Sequence, residues 1–423
     1  MLTPYNVISD APALPLEFVP VVASPTAAQL PDDVRGRILI DVIHDGAHIP
    51  AEFQVDANGH DIPFEQYREH YWLERDWGAS LVAESVCRHL GVPGYHRVNI
   101  ARVLMDFGRF PGLTQRDAQH LDRYAINYPF SELLGFTQKR KVLSALYDPI
   151  SVGADKVVRG TITKIAIHTY DRQNRSGTVR PDVSICTQPD SYNADSELPF
   201  GVFDPMYPDV LAEYTADRVL RDRISLTFEK SGYRAAHNYP YTLPDGSIEV
   251  RSQVWAFFRF LRRRYEDVYP ENALRSGHQL VWRMLCDTNL RSTSSEALRS
   301  FLYMYRRPPG GREAAFIAAQ LAYEHIQGFL NADHAALVLG YRQSPERLSS
   351  LGLEVRKDLV YRFDATGTVP LEPKPEAADA IGKVLARAVY TYLDEDKGLI
   401  PGGVGSTSRR LPRTDEFPDD HGD

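Results

Sequence analysis

Cysteine is scarce in this 423-residue chain: Cys87, Cys186 and Cys286 lie far apart and form no C-x-x-C pair. That spacing excludes a disulfide frame and a cysteine-built metal site, and leads us to expect reduced thiols in a cytoplasmic protein. Long apolar runs are missing too, since none approaches the ~20 residues needed to cross a bilayer. The opening stretch is rich in proline (Pro4, Pro12, Pro15, Pro20, Pro25, Pro31) but lacks a basic region ahead of an apolar one, so we do not expect a signal peptide. Positive charge is in deficit. A net charge of -8 argues against nucleic acid as the main partner, while leaving room for a local basic patch around an anionic substrate. No internal repeat is found, which removes solenoid architectures.

What remains is an ordinary soluble composition, 43% hydrophobic and 25% charged, with length enough for a large core. One stretch organises the reading: Arg37-Ile-Leu-Ile-Asp-Val-Ile-His44-Asp-Gly-Ala-His48-Ile-Pro50. Ile38, Leu39, Ile40, Val42 and Ile43 run into a polar, glycine-containing bend, the pattern of a buried parallel strand delivering a side chain to the carboxyl edge of a sheet. Ligands collect at that edge. Thr163-Lys-Ile-Ala-Ile167-His168 repeats the pattern, and two strands ending in histidine are less common than one.

Taken in order, residues 1–36 read as an extended lead-in. Residues 51–70 are loop-like around Asn58-Gly59. Glu74-Arg-Asp76-Trp77 opens a helix in which Trp77, Leu81, Val82, Val86 and Leu90 recur at helical spacing, with Gly91 as its stop and Asp76 at or near the N-cap. Val98 to Arg109 reads as a strand entering a turn, 114–147 as helices, and 180–186 as a short strand. A long helix is expected from Pro208 to Gly232, then a strand at 234–241, and a segment from Gly246 that starts as a strand and becomes a helix through Arg264. This alternation predicts an α/β domain over 37–268, a mostly parallel mixed sheet flanked by helices. Residues 269–400 read as a mainly helical addition with a short hairpin near Leu353 to Tyr361. Residues 401–423 read as a disordered tail.

Polar residues gather at the strand ends: His44, Asp76, Arg102, Asp106, Arg109, His168, Arg180, His237, Asn238 and Glu249. A hydrolytic zinc site needs about three nitrogen or oxygen ligands and an open position for water, whose pKa falls to roughly 7 on the metal. It also needs a separate carboxylate to move the proton, and an arginine for the oxyanion or for a substrate carboxylate. Each part has a candidate here, though at long spacing and without a compact motif such as H-E-x-x-H.

These residues resemble the N-formylglutamate amidohydrolase family. The likeness is carried by His44-Asp45-Gly46 with Pro50 close behind, Asp76-Trp77 opening a helix, and Arg102 followed by Asp106-Phe-Gly-Arg109. It continues with Ala166-Ile-His168-Thr, Asn238-Tyr-Pro240 and Ile248-Glu249, all in the same order over residues 38–260. The resemblance implies a fold like that of zinc-dependent exopeptidases. It implies His44, His168 and Asp76 as ligands of one zinc ion, with Glu74 as the runner-up carboxylate. Glu249 would be general base and acid, Arg102 and Arg109 would grip a substrate carboxylate or the oxyanion, and Asn238 would contact substrate. Asp45 replaces the family's serine, Gly108 replaces its asparagine, and the double glycine before Glu249 is absent. These departures point away from N-formylglutamate itself as substrate.

Plainer roles stay open beside these. His44 can be an ordinary strand-end residue, His168 a core histidine, Asp76 only a cap, Glu249 a partner of Arg251 or Arg259, and Arg109 a partner of Asp106. His48 reads as a loop residue, His237 as structural, and the basic run Arg259, Arg262, Arg263, Arg264 as a solvated helix face. The leading expectation is a zinc-dependent hydrolase cleaving a C–N amide bond of an N-acyl amino acid or peptide. The alternatives are a metallopeptidase acting on a larger polypeptide and a catalytically inactive binding protein on the same fold.

Overall fold

Strands form where β-branched and leucine residues run together, and seven of them join one sheet among the described residues. The computed structural model describes residues 14–109, 125–190, 204–244, 246–287 and 293–400. The expected tail at 401–423 and the helical reading of 114–124 lie outside these residues. The strands are β1 (Leu16–Pro20), β2 (Ile38–Val42), β3 (Gly94–Val98), β4 (Thr163–Tyr170), β5 (Val183–Cys186), β6 (Ala235–His237) and β7 (Ser349–Arg356). Their order is β1-β3-β2-β4-β7-β5-β6. The four central strands β3, β2, β4 and β7 are parallel, β1 runs antiparallel to β3, and β5 and β6 run antiparallel to β7. The architecture is thus an α/β mixed sheet flanked by helices, with a helical region toward the C-terminus.

The chain leaves β2 toward β3 on one side and returns with β4 on the other. That makes the gap between the carboxyl ends of β2 and β4 a topological switch point, where open α/β sheets bind ligands. His44 and His168 stand at these two strand ends.

One face of the sheet is dry. Ile40, Val42, Ile165, Ile167, Leu351, Leu353 and Val355 are all buried there. Helices α1 (Phe64–Glu74) and α2 (Ala79–Leu90) follow β2, α3 (Asp148–Val158) precedes β4, and α4 (Arg218–Lys230) precedes β6. Of these, α2 and α4 cover the dry face together with a helix at Pro375–Thr391. Gly382 of that helix lets it close on α2, because a Cβ there would stand 2.4 Å from the Ser85 hydroxyl. The other face is lined by α5 (Ile248–Val268) and α3. Beyond α5, helices α6 (Ser276–Leu285), α7 (Thr293–Met304), α8 (Glu313–Ala332) and α9 (His334–Gln343) share an aromatic-rich core with it.

Several elements differ from the expectation. The lead-in contributes β1, held by the register Leu16↔Val98 to Pro20↔Gly94. The helix expected to open at Glu74 starts instead at Ala79, with Gly78 (φ 88°) and not Asp76 as its N-cap, and α1 occupies 64–74, part of which was expected as loop. The glycine stop at Gly91 (φ 74°) is as expected. The strand at 98–109 is a turn-rich loop after Val98, and the long 208–232 helix breaks before Arg218. The segment from Gly246 is helical from Ile248, with the Ser247 hydroxyl accepting from the Val250 amide at 3.3 Å. The hairpin expected near 353–361 is instead the central strand β7 followed by one helical turn, and Tyr361–Phe363 pairs with Pro370–Pro373. No helix among the described residues is long and apolar enough to cross a membrane.

Candidate metal centre

His44 is the second residue beyond β2, and its carbonyl accepts the Asp76 amide at 3.0 Å. This backbone bond brings the loop ahead of α2 to the end of β2. It sets the Asp76 carboxylate between the two histidine rings. Asp76 Oδ2 lies 3.0 Å from His168 Nδ1 and 3.5 Å from His44 Nδ1. The ring centroids are 4.9 Å apart, and ligand atoms of the three residues all fall within 4.8 Å of one another. Donor atoms around a tetrahedral zinc with bonds of about 2.0–2.1 Å stand roughly 3.4 Å apart. The donor set and its spacing therefore fit a divalent cation.

The supporting groups fit as well. His44 turns its far nitrogen, Nε2, to Asp106 Oδ1 at 2.7 Å. A carboxylate behind a ligating imidazole fixes ring and tautomer. Asp106 also accepts from the Gly108 amide (2.9 Å) and Arg102 Nε (3.0 Å), and Arg109 Nε forms an ion pair with it at 3.2 Å. Burial alone would raise its pKa, but Arg102, His44 and Arg109 hold it well below the usual carboxylate range. Asp76 likewise is held low against its burial by hydrogen bonds from His168 and His44 and by the charge of Arg102. Burial pulls His168 down, yet its bond to Asp76 and the charges of Glu354 and Asp76 push it up to about 9. A pocket that holds a proton this firmly has a negative potential suited to a cation.

The structure brings His44, Asp76, His168, Arg102, Asp106 and Arg109 together. Arg102 is committed, with Nε on Asp106 and Nη1 on Asp76 at 3.2 Å, and Glu74 at 3.8 Å. Arg109 pairs with Asp106 and bonds Asn127 (2.9 Å), and its side chain is 44% exposed. Asn238 sits at φ 51° and its Oδ1 accepts the Thr187 and Gln188 amides, a turn-holding role. His48 and His237 are outside the cluster.

Glu249 is 1% exposed and lies 2.6 Å from Lys164 Nζ, which also binds Asp41 at 2.9 Å. Burial raises Glu249, but Lys164 and His168 outweigh it and hold the carboxyl at about 2. Its ion partner is thus Lys164, neither Arg251 nor Arg259. Such a carboxylate is a poor proton carrier near neutrality.

A residue that the sequence reading missed is Glu354. It pairs in register with His168 on the adjacent parallel strand, so the two side chains share a face. Its carboxylate has no hydrogen bond or ion partner among the described residues, and burial raises its pKa against the pull of His168. The available signal was Leu351-Gly-Leu-Glu354-Val, a third short apolar run carrying a titratable residue near its end.

The departures from the family pattern also have local causes. Asp45 accepts from Arg75 Nε at 2.8 Å and from the Ser80 amide at 3.1 Å, so it supplies the side-chain acceptor that the N-cap Gly78 lacks. At Gly108, a Cβ would lie 3.1 Å from His44 Nε2 and 3.2 Å from Asp106 Oδ1, which leaves little room for a larger residue.

No family model and no curated protein matches the chain. Among solved structures it is similar to an N-formylglutamate amidohydrolase from Ralstonia eutropha, with 13% identity and a TM-score of 0.47, covering 90% of this chain and 99% of that one. It is also similar to a gene product from Agrobacterium tumefaciens, with 13% identity and a TM-score of 0.37, covering 85% of this chain and 92% of that one.

Proposed function

We propose that the protein is a zinc-dependent hydrolase that cleaves the C–N amide bond of an N-acyl amino acid or a short peptide. The observation that carries this reading is the convergence of His44 Nδ1, Asp76 Oδ2 and His168 Nδ1, backed by Asp106 and flanked by Glu354, which has no ion partner among the described residues. His44, Asp76 and His168 would hold the ion. When bound, it lowers the pKa of a coordinated water toward about 7 and polarises a carbonyl.

The chain's own residues take the remaining tasks. Asp106 keeps His44 oriented, and Arg102 keeps Asp76 and Asp106 ionised and in place. Glu354, next to His168 and raised above its ordinary carboxyl value by burial, accepts a proton from water and returns it to the leaving amine. Glu249, tied to Lys164, supports the sheet beneath the site. Arg109 faces the charge that develops on the carbonyl oxygen.

The test compares two carboxylates. With a panel of N-formyl and N-acetyl amino acids, Glu354→Gln should retain the metal and lose about 10²–10⁴ in turnover. Glu249→Gln should act mainly on stability. Full activity in Glu354→Gln with loss only in Glu249→Gln would return the proton-carrying role to Glu249. Absence of hydrolysis in zinc-loaded wild type across the panel would support the metallopeptidase or the inactive binding protein instead.

A further inference from the structure

Arg251 lies one turn into α5, is 1% exposed and has no carboxylate partner among the described residues. Its Nη1 donates to the Ser151 hydroxyl of α3 at 2.7 Å. Its Nε and Nη2 are buried without any hydrogen-bond partner. A guanidinium stays charged at every working pH, so the missing anion and the two missing bonds are lasting costs. What surrounds this cation is aromatic. Its Cζ stands 5.2 Å from the centroid of the Phe107 ring and 5.9 Å from that of Tyr147, and the two rings are 5.1 Å apart. These contacts recover part of the cost.

Both rings hold the same short turn. Phe107 stands between Asp106 and Gly108, whose amide donates to Asp106 Oδ1 at 2.9 Å. Tyr147, just ahead of α3, donates its hydroxyl to the Arg109 carbonyl at 3.3 Å. The backbone ties the turn at its start, where the Asp106 amide donates to the Ala125 carbonyl at 2.7 Å. What the turn delivers is Asp106 Oδ1, 2.7 Å from His44 Nε2. A cation pinned by Ser151 attracts both ring faces at once, which an aliphatic chain of similar length would not do.

Building on the metal-centre reading, we propose that Arg251 is a positioning residue: through Phe107 and Tyr147 it fixes the Asp106–Arg109 turn, and the turn holds the His44 ring with Nδ1 toward Asp76. The effect is one-sided. His168 takes its place from β4 and from its bond to Asp76 at 3.0 Å, and is indifferent to Arg251.

The test follows three readouts on the full chain: urea unfolding, zinc affinity by chelator competition, and ring ¹⁵N signals of histidine-labelled, metal-free protein, assigned with His44→Gln and His168→Gln. Arg251→Met fills the volume and removes an unpaired buried cation, so its stability should equal or exceed that of wild type. Its His44 signals should move while those of His168 stay, and zinc affinity should fall about tenfold or more. Arg251→Lys should restore part of both. Phe107→Leu should shift His44 in the same way, and adding Arg251→Met to it should change little more. The inference is overturned if Arg251→Met leaves the His44 signals as in wild type, if His44 and His168 move together, or if the two substitutions act additively. Wild type that binds no zinc would remove the metal centre, while the His44 signals would still decide the role of Arg251.

Discussion

The two faces of the central sheet solve the burial problem in opposite ways. On one face, the odd-numbered residues of β4 and β7 (Ile165, Ile167, Leu351, Leu353, Val355) meet helices through apolar contact alone. On the other, the even-numbered residues include Lys164, His168 and Glu354, and α5 lays Glu249 against Lys164. Removing such charges from water is expensive, so each must be paired, or left for a ligand to pair. Lys164 follows the first course with Asp41 and Glu249, while Glu354, beside His168, has no ion partner among the described residues. Stability thus concentrates on the apolar face and on the ion triad, and the candidate metal centre lies at the strand ends beyond it.

Substitutions can break this contrast, and the largest effect is expected on the charged face. Lys164→Met leaves Asp41 and Glu249 buried without their cation and should cost about 3–5 kcal/mol in urea unfolding. Adding Asp41→Asn and Glu249→Gln should recover much of that loss. A single substitution within 1 kcal/mol of wild type would show that the triad is not a closed unit.

On the apolar face, Leu353→Ala opens a cavity at a fully buried position and should cost about 2–5 kcal/mol, with zinc retention unchanged. Loss of zinc at equal stability would deny that the faces are separable.

A third prediction concerns pH. In the folded, metal-free chain the bond to Asp76 and the charges of Glu354 and Asp76 push His168 up to about 9, above the ordinary imidazole value of 6.5. The stabilisation is therefore complete below about pH 6.5 and is lost as pH rises through 9, amounting to about 3 kcal/mol. Urea melts of metal-free protein at pH 6 and 9.5 measure it, and His168→Gln should flatten the dependence.

The smallest stability effect belongs to Gly108→Ala. The added methyl crowds the His44–Asp106 pair and should cost about 1 kcal/mol or less, yet weaken zinc affinity about 10–100-fold. Unchanged zinc affinity would mean that Asp106 does not set the orientation of His44.

Legibility in the sequence followed range. Apolar runs ending in histidine identified β2 and β4, because a buried parallel strand writes itself as a continuous local pattern. The glycine stop of α2 was readable for the same reason. β7 was not readable as a central strand. Ser349, Ser350 and Gly352 dilute its apolar run, and its place depends on pairing with β4 almost two hundred residues earlier. With β7 misread, Glu354 could not be seen beside His168. Glu249 drew attention instead, through the Ile248-Glu249 pair of the family resemblance, while the Lys164 that holds it lies 85 residues earlier in the chain and leaves no local sign. Arg102 was visible as a cation, whereas its commitment to Asp76 and Asp106 is a tertiary fact.

The most direct test is the zinc stoichiometry of purified wild type, His44→Ala, Asp76→Ala and His168→Ala after equilibration with limiting zinc. The account predicts one tightly held ion per wild-type chain and its loss from each folded variant. Zinc retained at wild-type affinity by any of the three, or absent from all four proteins, would contradict a shared site between the ends of β2 and β4.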